Sequence, residues 1–165
     1  MRPRNARLAA TTLVLALAAL VLPACGGDED GGADTGGTTP TVTAGPSTVA
    51  VTLQEFAVSA DPASVPAGSV TFDVTNDGPD DVHEFVVIAT DLGPTDLPTD
   101  QDGAVEEGGE GMEVVDEIED LAVGDTAELA VTLEAGSYVL LCNIYSADEQ
   151  EAHYAEGMRV AFTVE

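Results

Sequence analysis

The chain has 165 residues, 44% of them hydrophobic, with two Cys, two His and no Trp. That is enough for one modest globular domain with tails and too little for a large multidomain enzyme. All 4 basic residues are Arg, and beyond residue 24 Arg159 alone faces the 31 acidic residues, a formal charge of −30; this excludes direct nucleic-acid binding, while the lack of any Lys excludes phosphate-loop and Lys-based chemistry.

The chain begins with Arg2, Arg4 and Arg7, followed by an apolar run of 15 residues from Leu8 to Leu22. A spanning helix needs ~20 such residues, so residues 1–24 read as a signal peptide. Leu22-Pro23-Ala24-Cys25 and the Gly/Asp segment after it resemble a bacterial lipobox, in which Cys25 becomes the lipid-modified first residue of the mature chain. The resemblance implies a protein outside the cytoplasm, tied to the cell membrane by lipid on Cys25. Residues 25–47 are rich in Gly, Asp, Thr and Pro, with too little apolar surface to offset the entropy of ordering, and are expected to form a flexible tether.

From residue 48 to residue 165 the pattern is that of one β domain. Val49, Val51 and Leu53 alternate with smaller or polar residues, as do Val70, Phe72 and Val74, then Ala127, Leu129, Val131 and Leu133, and finally Met158, Val160, Phe162 and Val164. Glu84 to Thr90 and Gly136 to Cys142 are more continuously apolar, as strands covered on both faces would be. Turn signals at Pro62, Pro66-Ala67-Gly68, Asn76-Asp77-Gly78-Pro79, Gly124-Asp125 and Ala135-Gly136 separate the runs. The expected fold is all-β, an antiparallel Greek-key β-sandwich.

Residues 91–120 interrupt the rhythm with twelve Asp or Glu and five Gly. They read as a solvated acidic excursion, with Glu113 to Ile118 able to add a strand; a docking face for a basic partner is the sharper alternative. The carboxylates lack the spacing of a calcium-binding helix-loop-helix.

Few residues are left to carry chemistry. Cys142 closes an apolar strand, and its only possible disulfide partner, Cys25, would be consumed by lipidation. It is either an inert buried thiol or a thiolate metal ligand. His83 and His153 lie near turn residues, and Met158 opens the last strand. One Cys, two His and one Met form the ligand set of a blue-copper site. The order His83 upstream, then Cys142, His153 and Met158 within one loop, resembles the cupredoxin (plastocyanin-like) family over residues 48–165. That resemblance implies one copper ion cycling between Cu(I) and Cu(II), with His83 and His153 as imidazole ligands, Cys142 as thiolate and Met158 as axial thioether. Asn143 would stiffen the thiolate through hydrogen bonds.

The chain departs from the family between Cys142 and His153. Ten residues, Asn143 to Ala152, stand where the family has only a few, so the reach of His153 to the metal is at issue. Ser146-Ala147-Asp148-Glu149 has the form of a capping box, and Gly157 could end a helix begun near Ala147. A short helix is expected there, against an acidic loop as the alternative. Three functions stay open: a one-electron carrier, a copper-delivery lipoprotein without a redox role, and a metal-free interaction sandwich. No nucleophile and base are paired, so no enzyme is expected. The expected partners are the membrane, through the lipid, and a redox protein; the acidic surface suits either basic charge on that partner or life in high salt, and the chain itself is expected to be a monomer.

Overall fold

The computed structural model describes residues 45–165. The expected signal peptide, Cys25 and most of the tether lie outside the described residues. In chain order the elements are β1 (Ser47–Gln54), β2 (Ala57–Asp61), β3 (Ser64–Val65), β4 (Gly68–Asn76), β5 (His83–Thr90), β6 (Met112–Leu121), β7 (Thr126–Leu133), β8 (Gly136–Leu141), β9 (Tyr145–Ser146), β10 (Glu151–Ala152), α1 (His153–Glu156) and β11 (Arg159–Val164).

Two sheets form a sandwich. One is ordered β2-β1-β4-β7 and the other β3-β11-β8-β5-β6. The chain changes sheet on either side of β3, between β4 and β5, and again on either side of β7. The sheets are mixed rather than wholly antiparallel, since β1 pairs parallel with β4 and β3 parallel with β11. Period-two alternation reports which face of a strand is buried and carries no information on strand direction, which is why the sequence left these two pairings unseen.

The alternating residues meet between the sheets. Val49, Val51, Leu53, Val70, Phe72 and Val74 from the first sheet pack against Phe85, Val87, Leu140 and Phe162 from the second, all at most 2% exposed. Phe72 stands at the centre, 5.3 Å from the Phe85 ring and 5.5 Å from that of Phe162. Each such side chain contributes roughly 1.5–3 kcal/mol relative to exposure.

The outer face of β5 and β8 is also covered, as their continuous apolar runs require. Val86, Ile88, Val139 and Leu141 pack with Leu97, Val105 and Tyr154 in a second buried cluster. Residues 91–111 are therefore a cover whose acidic side chains face water while Leu97 and Val105, each 5% exposed, anchor it. The solvated excursion expected from composition is corrected in this respect, and β6 is longer than the strand expected over Glu113 to Ile118.

The loop after β8 differs from expectation too. No helix begins near Ala147; Ser146 pairs with Glu151 and Tyr145 with Ala152 in a minimal hairpin. The turn uses Gln150 at φ 58°. A helix this short lacks the hydrogen bonds to repay its nucleation, and strand pairing satisfies the same backbone groups. Among the described residues only α1 is helical, and it ends, as expected, at Gly157, whose φ of 134° suits glycine.

Candidate metal centre

Four connections at one end of the sandwich build the site. Asn76, at the end of β4, fixes the segment leading to His83: its amide donates to the carbonyls of Asp81 and Leu121, each at 2.9 Å, and its Oδ1 accepts the Gly78 N–H at 2.8 Å. Gly124 N–H donates to the Asn76 carbonyl at 2.8 Å. His83 then opens β5 beside a β-bulge, at the point where Asp120 of β6 has φ 52°.

Cys142 and Met158 extend the β8–β11 ladder past its ends. Cys142 N–H donates to the Met158 carbonyl at 3.0 Å, and Met158 N–H to the His153 carbonyl at 2.9 Å. His153 N–H reaches back to the Ile144 carbonyl, also at 2.9 Å, so the eight residues from Tyr145 to Ala152 leave and return at one closed base. The insertion bulges away and His153 keeps its place. Arg159 holds the far end of α1 by donating to the Tyr154 and Ala155 carbonyls, and its guanidinium lies 4.7 Å from the centre of the Tyr154 ring.

Three donor atoms converge. His83 Nδ1 and His153 Nδ1 are 3.1 Å apart, and Cys142 Sγ lies 3.8 Å from the first and 3.4 Å from the second. A point equidistant from these three atoms is about 2.0 Å from each, the length of a metal bond to imidazole and close to that of one to thiolate. His83, Cys142 and Met158 are fully buried and His153 is 1% exposed. Met158 joins the same buried cluster as Cys142 and is pinned by its backbone to both Cys142 and His153.

Burial sets the protonation of Cys142 and His83. It pushes the Cys142 thiol up to about 11, although N–H groups of Glu84 and Ile144 work in the opposite direction; that of Glu84 is 3.4 Å from Sγ. Burial, with His153 beside it, lowers the pKa of His83. At neutral pH Cys142 is thus a thiol and His83 an uncharged imidazole, and a cation entering the site displaces the thiol proton.

Asn143 acts differently from the expectation. Its side chain does not bond the sulfur but ties the Cys142 loop to the acidic cover: Oδ1 accepts the Val105 N–H at 2.6 Å, and Nδ2 donates to the Val105 carbonyl and the Glu107 carboxylate, each at 3.0 Å. Its own N–H donates to Glu84 Oε1 at 2.8 Å. Sequence reasoning missed Glu84 and two further neighbours, Glu55 and Phe56. The Phe56 ring stands edge-on to His153 at 5.4 Å. The one trace of this turn in the sequence is the break in alternation between Leu53 and Val58.

No family profile matches the chain, and no curated protein is similar enough to count as a relative. Solved structures do match. An auracyanin from Roseiflexus castenholzii, in its dithionite-reduced form, aligns at 21% identity and a TM-score of 0.50 over 72% of this chain and 97% of its own. Auracyanin A from Chloroflexus aurantiacus, described as a "blue" copper protein, aligns at 20% identity and a TM-score of 0.50 over 73% of this chain and 100% of its own. Rusticyanin from Thiobacillus ferrooxidans aligns at 16% identity and a TM-score of 0.52 over 73% of this chain and 77% of its own. These neighbours are cupredoxins, and the chain shares their β-sandwich fold.

Proposed function

We propose that the protein binds one copper ion through His83, Cys142 and His153, with Met158 as axial thioether, and carries single electrons. The observation that carries this reading is the triangle of two imidazole nitrogens and one thiol sulfur at metal-bonding spacing, on side chains at most 1% exposed. The donor chemistry favours copper: a soft thiolate suits Cu(I), imidazole suits Cu(II), and one sulfur with two nitrogens serves both. Bound copper would supply the Cu(I)/Cu(II) couple.

The chain's own residues supply the rest. The β8–β11 ladder and the Asn76 hub hold the donors at fixed spacing, so little has to move when the charge changes. Glu84 and Ile144 N–H groups stabilise negative charge on the Cys142 sulfur. His153 lines a surface groove of about 320 Å³ with Asp81, Val82, Asp120, Ile144 and Ser146, through which an electron would leave. Burial of all four side chains argues against an exchangeable site for copper delivery. In this reading the protein is not an enzyme.

The partner is a redox protein with a basic face, met through Asp81 and Asp120 beside the groove; electron-transfer rates should fall as salt is added. Lipid on Cys25 holds the protein outside the cytoplasm on the cell membrane, a reading supported by the lipobox-like sequence. Changing Cys25 to Ser should release it from membranes, and unaltered membrane partition would refute the anchor. For the electron carrier itself, voltammetry of the copper-loaded protein should show a reversible one-electron wave. Irreversible loss of copper on reduction would refute it.

A further inference from the structure

The turn between β1 and β2 sets a carboxylate behind His83. Glu55 Oε1 accepts N–H groups from Asp81 at 2.6 Å and Asp80 at 3.1 Å, which aim the carboxylate. It stands 3.7 Å from His83 Nε2, the two side chains being 11% and 0% exposed. That separation exceeds a hydrogen bond, and among the described residues His83 Nε2 and Glu55 Oε2 are the buried side-chain polar atoms without a partner.

An unpartnered buried polar atom is costly, and its neighbour decides which form costs least. A bare imidazole lone pair at Nε2 would face carboxylate oxygen, acceptor against acceptor. A proton at Nε2 turns the same approach into attraction and leaves the Nδ1 lone pair directed at His153 and Cys142. We propose that Glu55 is the positioning residue of the metal centre: its carboxylate keeps the His83 proton on Nε2 and so presents Nδ1 to the ion. This rests on the reading of His83, Cys142 and His153 as ligands. Carboxylates that orient metal-binding imidazoles in this manner raise ligand basicity as well as fixing the ring.

The assignment has a consequence for the other histidine. Two Nδ1 lone pairs 3.1 Å apart repel unless a proton lies between them. If His83 holds its proton at Nε2, the one between them belongs to His153 Nδ1. The two ligands then differ in the metal-free protein: His83 is already in its binding form, and His153 must release Nδ1–H.

The test is long-range proton–nitrogen NMR on the metal-free, ¹⁵N-labelled protein, whose two histidines give two sets of ring signals. His83 should be a single Nε2–H tautomer and His153 the Nδ1–H tautomer. In Glu55→Leu the His83 preference should be lost and the affinity for Cu(II) should fall ~10- to 100-fold. Glu55→Gln keeps an oxygen to accept the Asp80, Asp81 and Nε2 protons but removes the charge. It should preserve the tautomer and raise the reduction potential, and it serves if Glu55→Leu does not fold. An Nδ1–H tautomer of His83 in the wild type would overturn the proposal, as would an unchanged tautomer and copper affinity in Glu55→Leu. Failure of the wild type to bind copper would instead refute the ligand reading, while the metal-free spectra still judge the hold of Glu55 on His83.

Discussion

Glu84 links the Cys142 loop to β5, and its protonation should make the metal-free fold pH-sensitive. Burial, with Glu107, Glu117 and Glu119 nearby, raises its pKa to about 7 from 4.5, against the opposing hydrogen bond from Asn143. The folded protein therefore holds a proton that the unfolded chain releases at lower pH. This stabilisation is fully present below pH 4.5 and is lost as pH rises through about 7. At 1.36 kcal/mol per pH unit, the shift amounts to about 3 kcal/mol. Glu84→Gln keeps an oxygen to accept the Asn143 N–H and cannot ionise. Urea unfolding of both metal-free proteins from pH 4 to pH 8 should show the wild type losing about 3 kcal/mol relative to Glu84→Gln across that window. A difference in stability that stays flat with pH would refute the assignment of a buried, proton-retaining Glu84.

Cys142→Ser should abolish the blue charge-transfer band and leave the sandwich folded, because the core is built from the alternating strands; visible absorption and far-ultraviolet circular dichroism check both halves. Gly157→Ala should destabilise the protein by ~1–3 kcal/mol and weaken copper binding, since φ is 134° and an added Cβ would sit 3.0 Å from the Phe56 carbonyl, as thermal unfolding and copper titration would show. Replacing residues Tyr145 to Ala152 by Pro-Gly should retain copper, because the Ile144–His153 bond closes the loop at its base; His153→Ala should lose the blue site, and equal spectra for the two variants would contradict this placement. Cu(II) titration in weak buffer should release the Cys142 proton, so affinity should rise with pH below about 11, and a pH-independent affinity would argue against a thiol in the metal-free site.

The fold was legible because most of its strands bury one face. Val49, Val51 and Leu53, like Val70, Phe72 and Val74, lie where their alternation puts them. The continuous runs of β5 and β8 are covered on both faces as expected. Strand direction was not legible, and neither were the two-residue strands, which have no period to read. Cys142 and the two histidines stood out because they use every His and the one Cys outside the lipobox-like segment. Glu55 and Glu84 did not, since an acidic residue among 31 acquires a role only through what the fold places beside it. The acidic cover was misjudged for a similar reason: composition registers twelve charges, whereas Leu97 and Val105 determine where the segment lies. Ser146 satisfied the pattern of a helix cap, yet a pairing partner at Glu151 lay close enough to take its backbone instead.

The central claim is that His83, Cys142 and His153 form a single copper site. Its most direct test is a Cu(II) titration of the metal-free protein followed by visible absorption. One equivalent should produce an intense blue thiolate-to-copper band that saturates at one copper per chain, and a colourless product or a weak band without a stoichiometric end point would contradict it.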